Sequence, residues 1–197
     1  MKKSHLTRKL SEIEGFEDPR VELEQYQTPP QLAADIAYNA YMQGASKVID
    51  LGTGNGMIAI GAALLGLEVT AVEIDRKALE KARENAEEFG VEIDFVEKDV
   101  TEFESEERFD AVLMNPPFNI QSDEGIKFWE KALEIGDSVY GLAGKGFEAR
   151  LKRLCNEFNH EILASEAYTI GLPASYRFHT ESVKETPVDL FITEAKQ

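Results

Sequence analysis

Short apolar runs alternate with longer amphipathic stretches along this chain, and their order predicts its architecture. Ser46–Leu51, Glu68–Ile74, Glu92–Val96 and Phe109–Met114 read as strands. Between them, Met57–Leu65 has helical character and ends at Gly66, while Arg76–Phe89 is a charged amphipathic helix stopped by Gly90. Upstream, Thr28-Pro29-Pro30 opens a helix through about Gln43, with Thr28 as its N-cap and proline in the first turn. The stretch before it, Glu12 to Tyr26, is acidic and irregular. Downstream, Ile126–Glu134 predicts a helix, Ser138–Leu142 a fifth strand and Phe147–Asn159 another amphipathic helix. Two late strands follow, Glu161–Ile170 and, after a loop and Pro187, Val188–Thr193.

Strands alternating with helices predict an α/β domain with a mostly parallel sheet. Two final strands with no helix between them add a C-terminal antiparallel hairpin. The expectation is one seven-stranded sheet with helices on both faces and a ligand crevice at the strands' C-terminal ends. Residues 1–22 read as an N-terminal extension and 23–197 as the domain.

At 197 residues the chain can bury roughly 70% of its unfolded surface around one core. No apolar run reaches the ~20 residues of a membrane span, and the basic N-terminus has no apolar stretch of a signal peptide behind it. The one cysteine, Cys155, excludes an internal disulfide and a Cys-rich zinc site, and predicts a reducing, cytoplasmic setting. It falls mid-helix and reads as a packing residue. His5, His160 and His179 have no ligand spacing, so no metal is expected.

Charge changes the picture more. A net charge of −16 opposes a nucleic-acid partner. It is unevenly spread: fourteen carboxylates face five basic residues between Glu73 and Glu107. Met1–Leu10 carries Lys2, Lys3, Arg8 and Lys9 with no acid, and 144–153 carries Lys145, Arg150, Lys152 and Arg153 against Glu148 alone. Either an acidic back with two basic patches or a uniformly solvated acidic surface fits this pattern.

Asp50-Leu51-Gly52-Thr53-Gly54-Asn55-Gly56 follows the first strand and precedes a helix, the context that gives a glycine loop meaning. Its spacing is neither the dinucleotide fingerprint nor a phosphate-binding P-loop, and Asp50 suits a ligand with a positive amino group. Glu73 ends the second strand where an acid takes ribose hydroxyls, with Ile74 beside it. After the third strand, Asp99 can accept from an adenine amino group while the Val100 N–H meets the ring. Together they describe a site for S-adenosylmethionine. The fourth strand runs into Asn115-Pro116-Pro117-Phe118, where two prolines remove two donors and leave carbonyl acceptors beside an amide and an aromatic face. That set suits holding a planar ring by its exocyclic amine.

This motif series resembles that of class I S-adenosylmethionine-dependent amino-methyltransferases, a Rossmann-like fold. Glu24-Gln25-Tyr26-Gln27-Thr28-Pro29 is similar to the N-terminal motif of that superfamily, which implies that Gln25, Tyr26 and Thr28 lie against the methionine end of the cofactor. Leu23–Pro29, Asn85-Ala86-Glu87-Glu88-Phe89 and Leu172-Pro173-Ala174-Ser175-Tyr176-Arg177-Phe178-His179 narrow the resemblance to the methyltransferase-like protein five family, N6-adenine methyltransferases of small-subunit ribosomal RNA. The resemblance implies an RNA partner and a small activator subunit, with no membrane. It also implies catalytic roles for Asn115, Pro116 and Phe118, a cofactor contact by Asn115 as well, and substrate contact by Pro117, Phe118, Tyr176, Arg177 and Phe178. Read from the residues alone, Tyr176 and Phe178 fit the core face of a strand equally well. Protein glutamine or RNA guanine-N2 methylation, or a non-catalytic scaffold role, are the competing readings.

Overall fold

The computed structural model describes residues 1–16, 19–20, 25–117, 123–173 and 183–196. Its seven strands are β1 Lys47–Leu51, β2 Glu68–Glu73, β3 Asp94–Glu97, β4 Phe109–Met114, β5 Gly136–Gly144, β6 His160–Pro173 and β7 Val183–Ala195. They form one sheet in the order β3-β2-β1-β4-β5-β7-β6. β1 pairs in parallel with β2 and β4, and β2–β3 and β4–β5 are also parallel. β7 runs antiparallel between β5 and β6, so the late hairpin closes the sheet as expected. The chain order reverses between β1 and β4, which opens a crevice beyond their C-terminal ends.

Helices cover both faces. α1 Lys3–Leu10, α2 Pro30–Met42, α3 Met57–Leu64 and α4 Arg76–Phe89 border one core, which includes Leu6, Leu10, Ile36, Ile60 and Leu113. α5 Glu124–Ile135 and α6 Glu148–Glu157 enclose the other around Leu51, Met114, Trp129 and Phe191. No helix among the described residues is long and apolar enough to cross a membrane. Cys155 packs on the inner face of α6, where burial pushes its thiol up to about 11.

Several element boundaries depart from the sequence reading. Residues 1–22 hold α1, whose Leu6 and Leu10 are fully buried one helical turn apart, with Ile13 continuing the stripe. Thr28 was expected to cap α2, but Pro29 occupies that position and the Thr28 hydroxyl accepts from Asn115 Nδ2 instead. α4 keeps its expected bounds: Asp75 caps it by accepting from the Lys77 N–H, and Gly90 ends it in the left-handed region at φ 64°. α6 stops short of Asn159, whose φ of 57° is left-handed. Pro187 lies inside β7 one residue beyond the last β5 pair, Gly144↔Val188, where the strand has a neighbour only in β6.

Candidate active site

The crevice begins with the loop between β1 and α3. Gly52 and Gly54 have φ of 73° and 57°, values that favour glycine. The Gly52 and Thr53 N–H groups both donate to the Val72 carbonyl, at 2.9 and 3.0 Å, which folds the loop over the end of β2. Aromatic rings close the remaining space. A Cβ at position 52 would lie 2.9 Å from Phe128 Cε1, and one at 54 would lie 3.0 Å from Phe16 Cζ. Gly56 faces α4 instead, its added Cβ 3.2 Å from that of Ala82.

The acids at the strand ends differ in what holds them. Glu73 Oε2 accepts from Gly54 N–H at 2.9 Å, and its Oε1 accepts from Ile74 and Asp75 N–H, both at 3.0 Å. Burial raises its pKa, and those three N–H groups pull the other way. Asp99 Oδ1 accepts from the Thr101 N–H and hydroxyl at 2.8 and 2.7 Å, capping a short 3-10 turn, Val100–Glu102. Asp50 lies beneath the glycine loop, only 1% exposed. Its Oδ2 accepts from the Thr53 hydroxyl at 2.7 Å and the Ala59 N–H at 3.1 Å, so it ties the loop to the first turn of α3. Burial pushes Asp50 up to about 7, and its Oδ1 has no partner among the described residues.

On the other side of β1, β4 delivers Asn115. Its Nδ2 donates to the Thr28 hydroxyl at 2.9 Å, while its Oδ1 is buried with no hydrogen-bond partner among the described residues. An orphaned buried amide oxygen is costly, so a groove that retains one is built to receive a donor. Pro117 forms the next part of the wall, and its carbonyl oxygen abuts α5: a Cβ on Gly125 would meet it at 2.5 Å.

One cleft gathers most of the expected residues. Gln25, Tyr26, Thr28, Gly52 and Gly54 line it, as do Glu73, Ile74, Asp99, Asn115 and Pro117. Ile74 is 54% exposed, an apolar face turned to an open groove. Gln25 also braces the rim, its Nε2 donating to Asp75 Oδ2 at 2.7 Å and its Oε1 accepting from the Arg20 N–H at 2.8 Å. Asp50 and Gly56 sit behind the loop, while Val100 and Pro116 are buried behind the wall. Phe118, Tyr176, Arg177 and Phe178 lie outside the described residues.

The cleft also recruits residues that the sequence reading passed over: Phe16, Thr101, Glu124, Lys127 and Phe128. Glu124, Lys127 and Phe128 share one face of α5 at i, i+3, i+4 spacing, a pattern legible directly after the Pro-Pro turn. Phe16 is placed by the segment before it. The Glu14 carbonyl accepts from Asn55 Nδ2 at 2.9 Å and from Asn85 Nδ2 at 3.2 Å, and the Ile13 carbonyl accepts from Gln27 Nε2 at 3.1 Å.

Comparison with known proteins agrees with this geometry. The family model described as methyltransferase small domain matches residues 34–145. The rRNA N(6)-adenosine-methyltransferase METTL5 of Danio rerio is 37% identical over 96% of this chain and 97% of its own length. Its counterpart from Drosophila melanogaster is 35% identical over 93% and 94%. Among solved structures, a protein of Pyrococcus horikoshii described as a candidate RNA methyltransferase is similar with a TM-score of 0.89 and 35% identity, covering 99% of this chain and 98% of that one. With the glycine loop, the acids of β2 and β3 and the Asn-Pro-Pro turn at one crevice, the chain belongs to the methyltransferase small domain family, within its METTL5 branch.

Proposed function

We propose that this chain is an S-adenosylmethionine-dependent N6-adenine methyltransferase acting on small-subunit ribosomal RNA, at an adenine that is unpaired or flipped out of its helix. The observation that carries the reading is the Asn115 amide. Its nitrogen is held by Thr28, and its oxygen is buried, unpartnered among the described residues and set on the cleft wall. The near-full-length relatives named as N(6)-adenosine methyltransferases support adenine as the base.

The residues present fit the cofactor. Gly52 and Gly54 leave no room for side chains, Glu73 retains acceptor capacity beside three N–H donors, and Asp99 uses one oxygen on Thr101. Glu73 would hold the ribose hydroxyls, Asp99 the adenine amino group, and Gln25, Tyr26 and Thr28 the methionine end. Bound there, S-adenosylmethionine supplies an electrophilic methyl group. The chain's part is to prepare the acceptor nitrogen, whose lone pair is otherwise delocalised into the ring. Hydrogen bonds from the amine to Asn115 Oδ1 and the Pro116 carbonyl favour a pyramidal nitrogen and strengthen as positive charge develops on it. Phe118 would stack on the base and fix its plane, a contribution of roughly 1–3 kcal/mol. Both partners held at neighbouring strand ends make the reaction one of proximity and orientation.

The test is methyl transfer from labelled S-adenosylmethionine to ribosomal RNA lacking the modification, followed by nucleoside analysis. N6-methyladenosine is expected. Recovery of N2-methylguanosine, or label on a protein and none on RNA, overturns the adenine assignment. The proposal extends to a cytoplasmic setting and a small activator subunit, and full turnover by the chain alone would remove the subunit.

A further inference from the structure

A chain carrying −16 must still meet a polyanion, and the layout of the catalytic edge shows how. This inference rests on the RNA reading above. Asn115 stands at the end of β4, with β1, β2 and β3 on one side and β5 on the other. The β2–β3 side ends in Glu73, Asp75, Glu97 and Asp99 and continues into the exposed Glu102 and Glu104. On the other side, β5 ends at Gly144, followed by the exposed Lys145, and Gly146 with φ 91° turns the chain into α6.

α6 is seated by Leu151, Leu154 and Cys155, which leaves Arg150, Lys152 and Arg153 outward. Arg150 Nη2 lies 3.9 Å from Asp123 Oδ1, the residue that precedes α5. That contact brings the basic helix beside the start of α5. One turn further along α5, Lys127 opens into the cleft itself. Two acids on this side are engaged, Glu148 holding Lys152 at 2.6 Å and Asp123 facing Arg150, while Glu124 is exposed at the cleft with no ion pair among the described residues. Lys145 and Arg153 make no ion pair among the described residues.

We propose that the RNA backbone enters over the β5–α6 side, its phosphates held by Lys145, Arg150 and Arg153, and that the acidic β2–β3 side turns it away from the cofactor half. Distance makes the division effective. β5 and β3 are four strand positions apart, ~19 Å at ~4.8 Å per strand. The Debye length at physiological ionic strength is ~8 Å, so a phosphate beside Arg150 is largely screened from the β3 carboxylates. Phosphate contacts give affinity and register without sequence information. The acidic half then supplies orientation by disfavouring the reversed approach.

The test uses Lys145→Glu with Arg153→Glu, both exposed and unpaired, on the full chain. A fluorescein-labelled, unmodified small-subunit ribosomal RNA fragment is titrated by anisotropy across a potassium chloride series, and S-adenosylmethionine affinity is measured by calorimetry. RNA affinity is expected to fall about tenfold at low salt, and the salt slope to drop by about 1.4, two phosphates at ~0.7 each, with cofactor affinity unchanged. Arg150→Gln is expected to lower the slope in the same direction. Glu102→Lys with Glu104→Lys is expected to tighten RNA binding without raising turnover, because the added binding is misoriented. A wild-type slope in the Lys145/Arg153 variant overturns the phosphate track while leaving the RNA assignment standing. A wild-type chain that binds no RNA overturns the functional reading instead.

Discussion

The two sides of the cleft, proposed above to hold the cofactor and the acceptor base, hold their polar groups differently. On the cofactor half, Glu73 and Asp99 are already clamped by backbone N–H groups, and Asp50 is spent on holding its own loop. On the acceptor half, the Asn115 side chain is held through its nitrogen, and its buried oxygen has no partner among the described residues. Both halves keep a buried oxygen without a partner among the described residues, but Asp50 Oδ1 lies behind the glycine loop whereas Asn115 lines the cleft. Holding a cofactor asks for a pre-set shape, whereas activating an amine asks for an unsatisfied acceptor whose bond strengthens in the transition state.

The largest test of that division is Asn115→Ala. Turnover is expected to fall by at least ~10²–10³-fold, the loss typical of removing one transition-state hydrogen bond, with cofactor affinity by calorimetry almost unchanged. A parallel loss of cofactor affinity would merge the two halves into one. Gly125→Ala comes next, since its Cβ would sit 2.5 Å from the Pro117 carbonyl oxygen and must displace the Pro-Pro turn or α5. A shift of that kind is expected to lower kcat by up to ~10²-fold, again sparing cofactor binding. Gly52→Ala probes the other half: the strained φ of 73° and the Phe128 contact at 2.9 Å should weaken S-adenosylmethionine about tenfold, the effect of ~1–3 kcal/mol of backbone strain.

The smallest effect is expected at Asp50. Its pKa is raised on folding from 3.8 to about 7, so the folded chain favours the protonated form. The corresponding stabilisation is full below pH 3.8 and is lost as pH rises toward 7. Asp50→Asn keeps an acceptor for Thr53 and Ala59 and should flatten that part of the melting temperature against pH curve. An unchanged curve would mean that another group carries the dependence.

Much of this was legible in the sequence because it is local. The glycine loop, the acids at the strand ends and the Asn-Pro-Pro turn each sit within a few residues of the strand that places them. α1 was harder to see: its apolar stripe has only Leu6 and Leu10 beside the basic Lys3, Arg8 and Lys9, and its value comes from α2 and α3, against which it packs. Thr28 read as a helix cap by its neighbours, but its partner is 87 residues away. Phe16 belongs to the cleft because Asn55 and Asn85 grip the Glu14 carbonyl, which no periodicity reveals. Non-local hydrogen bonds decide such positions, and sequence spacing carries no record of them.

The place of β7 has a bearing on how this molecule assembles. Among the described residues β6 pairs with the sheet only through β7, which lies between it and β5. β6 therefore has no strand to pair with among the described residues until β7 is present, whether β7 docks on β5 first or pairs with β6 first. The parallel pairs from β1 to β5 need neither of the last two strands. Formation of that late hairpin is expected to be a separate step, read as delayed amide protection of β6 relative to β1 and β4.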